Sequence, residues 1–303
     1  MSIETDRMPA VGFSYRLQLH SWIMENRGRF DALEVTLDHY FWAGPAFKET
    51  IESLVGQVPL VAHGIGLSIG TDAPLDLAYL DQVAAAIDRL DMPYYSEHVA
   101  FTRVPGRDLA NLLPLPRTAA VADQLVERIR VVQAHVQVPL LLENIAYYFD
   151  YPDAEMDDAA FLNRIFRETG AAMLLDVENL HINAANHGFD PLAFLDALDP
   201  GVVQALHLAG GDTYKGGNWG EPVVEPKLVD THDRPLRPDT VDLLAEVLSR
   251  HRPHTLILER DRRLDKAEER AEIADDLERI RAALGSHHEG GRRVEPASDR
   301  PTV

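Results

Sequence analysis

Short, nearly continuous apolar runs alternate with longer amphipathic stretches from residue 11 to residue 284. The runs are VGFSY (11–15), ALEVTL (32–37), VPLVAH (58–63), PYYSEHV (93–99), VPLLLEN (138–144), AAMLLDV (171–177), VVQALHL (202–208) and TLILER (255–260). Each is apolar at successive positions, which is how a strand buried on both faces reads in a parallel sheet. Between them, Leu77, Leu80, Ala84, Ile87 and Leu90 repeat at three and four, as do Leu125, Ile129, Val132 and Val136, and Val241, Leu244, Ala245 and Leu248. These spacings predict helices with one apolar stripe, the third opened by Pro238 in its first turn. A charged amphipathic helix is expected over 265–284. Eight strands, each followed by a helix, predict an α/β fold, a (β/α)8 barrel of TIM type. The competing open, doubly wound sheet is disfavoured by that count and by the lack of a glycine-rich phosphate loop after the first strand.

One barrel domain over 10–284 follows, flanked by tails at 1–9 and 285–303, the second rich in Gly, Pro, Ser and charge and expected to be mobile. Composition narrows the chemistry. There are no cysteines, which removes disulfides, thiolate ligands, iron–sulfur clusters and cysteine nucleophiles together. With 29 Lys+Arg against 49 Asp+Glu the net charge is −20, a poor footprint for nucleic acid. No apolar run approaches the roughly 20 residues of a membrane helix, and the N-terminus has no apolar signal segment. A soluble, cytoplasmic protein with no nucleic-acid or membrane partner is expected.

Position is the informative property of the polar residues. The predicted strands end in His63, in Glu97-His98, in Glu143-Asn144, in Asp176 with Asn179 three residues on, in His207, and in Glu259 followed by Arg260-Asp261. Asp230 and His232 lie in the connection after the seventh strand. In such a barrel these strand ends all rise at the C-terminal rim, where the fold places its chemistry. Buried Asp, Glu and His are costly unless paired or bound to a metal. Imidazole with carboxylate and no sulfur suits iron, zinc or manganese. The donors His63, His98, Glu143, Asp176, Asn179, His207, Asp230, His232 and Glu259 are too many for one ion, so two or three ions are expected, with Glu143 and Glu259 as bridges.

The remaining histidines divide. His135, His251 and His254 lie near helix ends and are expected in solvent, and His287 and His288 fall in the tail. His20 and His39, which follow the first two strands, are expected substrate contacts, with His187 and Asp212; His181 is not read as a ligand. The glycine-rich piece GGDTYKGGNWGEP at 210–222 lacks the spacing of a phosphate loop and reads as a surface loop, a lid or a docking site over the barrel mouth.

The ordered segments VAHGIGLSIG, SEHVAFT, LLENIAYYF, LLDVENLHINAANHGFD, HLAGGD, LVDTHDRPL and LILERD, between residues 11 and 262, closely resemble the DUF692 family. These are multinuclear non-haem iron-dependent oxidases and include the methanobactin-synthesis oxidase. The resemblance implies a barrel akin to xylose isomerase and endonuclease IV, two or three iron ions, and dioxygen as co-substrate. It further implies a ribosomally made precursor peptide as substrate and a partner protein that binds the peptide's leader. It assigns the same nine donors to the metals, the cluster being the catalytic entity with Glu143, Asp176 and Glu259 as key ligands. The chain departs from the family's usual pattern twice: Glu178 stands where an amide is usual, and Gly211 where the loop often begins with histidine. A zinc- or manganese-dependent hydrolase or isomerase is the alternative, and a non-catalytic metal-binding scaffold a further one. A sugar isomerase would want a lysine, and only Lys215 and Lys227 lie near the rim, both in a loop.

Overall fold

The eight apolar runs become the eight strands of a closed, all-parallel barrel in a computed structural model that describes residues 8–215 and 226–291. In chain order the strands are β1 (Ala10–Ser14), β2 (Ala32–Thr36), β3 (Leu60–Gly64), β4 (Tyr95–His98), β5 (Phe101–Val104), β6 (Arg107–Leu113), β7 (Leu140–Glu143), β8 (Ala172–Asp176), β9 (Val203–Leu208), β10 (Asp212–Tyr214), β11 (Lys227–Val229) and β12 (Thr255–Leu258). The barrel closes in the order β1-β2-β3-β4-β7-β8-β9-β12, and β12 returns to β1. Strands β2, β3, β4, β7 and β12 are buried at every residue, which accounts for runs with no polar alternation.

The helices are α1 (His20–Glu25), α2 (Leu37–Trp42), α3 (Pro45–Glu52), α4 (Leu77–Leu90), α5 (Ala119–Val136), α6 (Asp158–Thr169), α7 (Val177–His187), α8 (Pro191–Ala197), α9 (Pro238–Arg250) and α10 (Ala267–Gly291). Capping side chains start several of them. Asp76 accepts from the Tyr79 amide at 3.1 Å and Asp157 from Ala160 at 2.7 Å, satisfying donors that the first turn leaves unpaired. Helix α10 continues beyond the expected end at 284 into the segment read as a tail, with Ser286 Oγ bonded back to the Ala282 carbonyl at 3.0 Å. The rest of that tail, from 292, and residues 1–7 lie outside the described residues.

Two antiparallel hairpins interrupt the β/α alternation: β5–β6 after β4, and β10–β11 after β9. The first is absent from the periodicity reading, although Pro105-Gly106 between two short runs is a turn signal. The second takes Asp212–Tyr214 out of the supposed surface loop and pairs it with Lys227–Val229; residues 216–225 lie outside the described residues. No helix among the described residues is long and apolar enough to cross a membrane.

Side chains two apart on a strand share a face. Leu141 and Glu143, Leu174 and Asp176, and Ala205 and His207 therefore point the same way on β7, β8 and β9. Leu141, Leu174 and Ala205 form an apolar cluster with Tyr94 and Ala172 packed against it. The donors form the next layer up. Register holds that layer level: His98 pairs with Glu143 across β4 and β7, and Asp176 with His207 across β8 and β9.

Candidate metal centre

The backbone at the strand ends is locked by side chains that mimic strand pairing. Asn144, the residue after Glu143, accepts from the Asp176 amide at 2.9 Å and donates to the Asp176 carbonyl at 3.0 Å. Its own carbonyl accepts from Asn179 Nδ2 at 3.1 Å. Asp176 ends β8 and caps α7: Oδ1 accepts from the Asn179 amide at 2.6 Å. Each of these donors has thus spent one polar atom on the scaffold. Asp176 Oδ2 and Asn179 Oδ1 are left buried with no hydrogen-bond partner.

Glu143 is the hub. Its Oε2 lies 3.3 Å from His98 Nε2 and 3.6 Å from His63 Nε2, and its Oε1 lies 3.0 Å from His207 Nδ1. His207 Nδ1 also approaches Glu259 Oε2 at 3.3 Å. Two sets of donor atoms, His63–His98–Glu143 and Glu143–Asp176–His207–Glu259, each converge to within 4.8 Å. Glu143 belongs to both, as a bridging carboxylate would. Beside them His232 Nε2 and Asp230 Oδ1 are 2.8 Å apart, and His232 Nδ1 lies 3.8 Å from Glu259 Oε2.

Each of the four histidines has one ring nitrogen held by the scaffold and the other turned to a carboxylate of this group. His63 Nδ1 is 2.9 Å from Ser96 Oγ, whose hydroxyl donates to the Ala62 carbonyl, so the imidazole supplies the proton. His98 Nδ1 is 3.2 Å from the Gly64 carbonyl, at a position where a Cβ would come within 2.7 Å of Glu97 Oε2. His232 Nδ1 is 3.3 Å from Asp261 Oδ2, and His232 itself sits at φ +49, a left-handed conformation that costs about 1 kcal/mol or more for a residue with a side chain. His207 is reversed: its Nε2 is held, 2.7 Å from Glu34 Oε2. Outer partners of this kind are how proteins orient metal-binding imidazoles.

Nearly all buried polar atoms in folded proteins are hydrogen-bonded. Here Glu143 Oε2, Asp176 Oδ2 and Asn179 Oδ1 are buried and make no hydrogen bond, while Asp230 Oδ1 and His232 Nε2 face each other at 2.8 Å with no hydrogen bond from the scaffold; all five belong to the expected donor set. Oxygen and imidazole nitrogen with no sulfur, gathered this way, form buried clusters that could hold metal ions. The electrostatics agree. Burial, then the Glu143, Asp230 and Glu259 carboxylates, push Asp176 well above the usual carboxylate range. Burial alone would lower His98, but Glu143 and Glu97 overcome it and raise the imidazole to about 9. Burial alone would raise Glu143, but His207 and His98 draw it down to about 2. Without a cation, protons supply the positive charge that this group of acids demands.

A cavity of about 920 Å³ opens over the donors. Eight of the nine line it; His207 lies beneath them, fully buried. His39 lines it as expected, with Trp42, Tyr148 and Arg16 around the mouth. The other expected substrate contacts do not. His20 is tied to Tyr15 OH at 2.9 Å, one step behind the wall. His187 turns away, bonded to the Tyr147 carbonyl at 2.9 Å with its ring 4.4 Å from that tyrosine, because it ends α7 on the helix side of the barrel. Asp212 sits on β10 and pairs with Arg234 at 2.7 Å. Lys215 and Lys227 do not line the cavity, and Lys227 Nζ is spent on the Asn186 carbonyl at 2.8 Å. His251, expected in solvent, is buried at the end of α9. Sequence reading missed Glu34 and Ser96 because both lie inside strands, where only the barrel's closure turns them toward the donors.

The two departures at 178 and 211 are one feature. Glu178 is fully buried and accepts from the Gly211 amide at 3.1 Å, from Arg237 Nε at 3.1 Å and from Thr240 Oγ1. A Cβ at position 211 would come within 2.5 Å of the Val229 carbonyl oxygen and 2.9 Å of Glu178 Oε1. The acid at 178 therefore goes with a glycine at 211.

Solved structures share this architecture. They include the 3-keto-D-glucoside 4-epimerase YcjR from E. coli, at TM-score 0.57 and 14% identity over 91% of this chain and all of that one. A xylose isomerase domain protein from Planctomyces limnophilus gives TM-score 0.58 at 14% identity, covering 93% and 99% of the two chains. At such identities the likeness shows the fold alone. Sequence relatives are closer. A UPF0276 protein from Shewanella oneidensis is 31% identical over 90% of this chain and 93% of its own length, and one from Acaryochloris marina is 32% identical over 83% and 87%. The family model described as "RiPP precursor modification enzyme MbnB/TglH/ChrH" matches residues 10–284, the whole barrel with every donor described above. The chain thus belongs to the MbnB/TglH/ChrH family of RiPP precursor modification enzymes, also called DUF692.

Proposed function

We propose that this protein is a multinuclear iron enzyme that uses dioxygen to modify a ribosomally made precursor peptide in the cytoplasm, with a partner protein that binds the peptide's leader. The observation that carries this reading is the coincidence of the family match with five buried donor atoms that take no hydrogen bond from the scaffold and are gathered at one end of the barrel. His63, His98 and Glu143 would hold one ion, and Glu143, Asp176, His207 and Glu259 a second. Asn179, Asp230 and His232 offer a third set beside Glu259. Bound iron would supply one-electron chemistry and a place for dioxygen, which the side chains alone do not. The chain's own part is positioning. Asn144 and Asp176 hold the ends of β7 and β8 together, and Ser96, Gly64 and Asp261 set the rings of His63, His98 and His232. The apolar layer below the donors closes the barrel to water on that side. The mouth admits substrate from the other, past His39, Trp42 and Tyr148, of which Trp42 is 88% exposed.

The test is oxygen uptake by anaerobically prepared, ferrous-loaded protein given the peptide encoded beside its gene. Uptake coupled to a mass change in the peptide is expected. Protein that carries only zinc and stays inert after iron loading defeats the reading.

A further inference from the structure

Glu34 lies in the middle of β2, two residues below the cavity-lining Thr36, and is fully buried. A carboxylate in such a place is expensive unless something compensates it. One oxygen, Oε2, is 2.7 Å from His207 Nε2, and the other, Oε1, has no hydrogen-bond partner. Glu34 and His207 stand on strands separated by β1 and β12, so the contact crosses the barrel interior. It leaves His207 Nδ1 to face Glu143 Oε1 at 3.0 Å and Glu259 Oε2 at 3.3 Å. His63 and His98 meet Glu143 through Nε2 instead.

We infer that Glu34 is a positioning residue: it holds the proton on His207 Nε2, so that His207 binds metal through Nδ1 while His63 and His98 bind through Nε2. This rests on the reading that the centre holds metal. The geometry offers one rival, since Glu34, His63 and His207 also bring donor atoms to within 4.8 Å, which would make Glu34 a ligand and His207 an Nε2 donor. Three features favour positioning. The 2.7 Å separation is that of a charge-assisted hydrogen bond. The other three histidines are each held at one nitrogen by a scaffold acceptor. His207 Nδ1, not Nε2, points to the oxygens of Glu143 and Glu259.

The experiment uses the full-length protein, labelled with ¹⁵N-histidine and loaded with zinc alone, a diamagnetic probe that needs no substrate. The nitrogen shifts of His207, assigned by its loss in His207→Gln, are expected to show a metal-bound Nδ1 and a protonated Nε2. A metal-bound Nε2 overturns the inference. In parallel, Glu34→Gln keeps the shape and removes the charge. At saturating zinc it is expected to hold as many ions as the parent, while chelator competition shows the weakest site loosened about 10- to 100-fold. A stoichiometry lower by one marks Glu34 as a ligand and overturns the inference, as does unchanged affinity. A parent protein that takes up no metal defeats the proposed function and this inference together, whereas the other outcomes touch only Glu34.

Discussion

Single side chains in this protein divide their polar atoms between scaffold and centre. Asp176 gives Oδ1 to a helix start and keeps Oδ2; Asn179 gives Nδ2 to the Asn144 carbonyl and keeps Oδ1. Glu143 gives neither oxygen to the backbone and faces three imidazoles. Replacing Glu143 by Gln should therefore remove at least one ion per chain and lower turnover by about 100-fold or more, with the far-ultraviolet circular dichroism unchanged. Elemental analysis of the variant beside the parent checks it. His251 makes a second prediction at this scale, away from the centre. Burial lowers its pKa, opposed in part by the Leu195 backbone, so the folded protein holds it neutral below the pH at which the unfolded chain protonates it. Stability from this source is complete above about pH 6.5 and is lost as pH falls through that value toward the lower folded pKa. Urea unfolding at about pH 7.5 and about pH 5.5 should show a smaller acid loss in His251→Gln than in the parent. Donors at strand ends were readable from residue type and position. Glu34 and His251 were not, because a mid-strand acid and a helix-end histidine look ordinary until the neighbouring elements are in place.

Elements were legible in proportion to their periodicity. The strands and long helices carry a repeat that burial alone produces, and the barrel strands stand within a few residues of the expected bounds, whereas α10 runs on past 284 to Gly291. The two hairpins carry no such repeat, since β5 buries one residue of its four, β6 buries none, and β10 and β11 are three residues each. Ties between elements were also invisible. Glu178 links the first turn of α7 to the loop after β9 and to the start of α9. Glu178→Ala would leave Arg237 without its carboxylate and the Gly211 amide unpaired, at a cost of about 2–4 kcal/mol. Urea unfolding should show that loss. Because Asp176 and Asn179 flank Glu178 on the same turn, metal affinity should fall with it, whereas a variant as stable as the parent removes the tie from the account.

For the whole molecule, the centre concentrates acid at the closed end of a cavity in a chain whose net charge is −20. Ions that neutralised this acid would bind the folded state in preference to the unfolded chain, and mass action would then stabilise it. At about 100-fold excess over Kd the gain is about 2.7 kcal/mol, which for a domain of this size raises the Tm by about 5 °C. Differential scanning calorimetry before and after chelation should show that shift, restored by ferrous iron. A Tm indifferent to chelation would mean that the donors carry no ion in the folded protein. The sequence by itself determined the barrel and the rank of donors on its rim, because both follow from local facts: a two-faced burial pattern in each run, and the residue type at its end. Only tertiary structure decided which nitrogen of each histidine is free, which acid supports which ring, and which of the expected contacts reach the cavity. Those depend on strand register and on side chains that meet across the interior, from residues as far apart in the chain as Glu34 and His207, and no local pattern encodes such meetings.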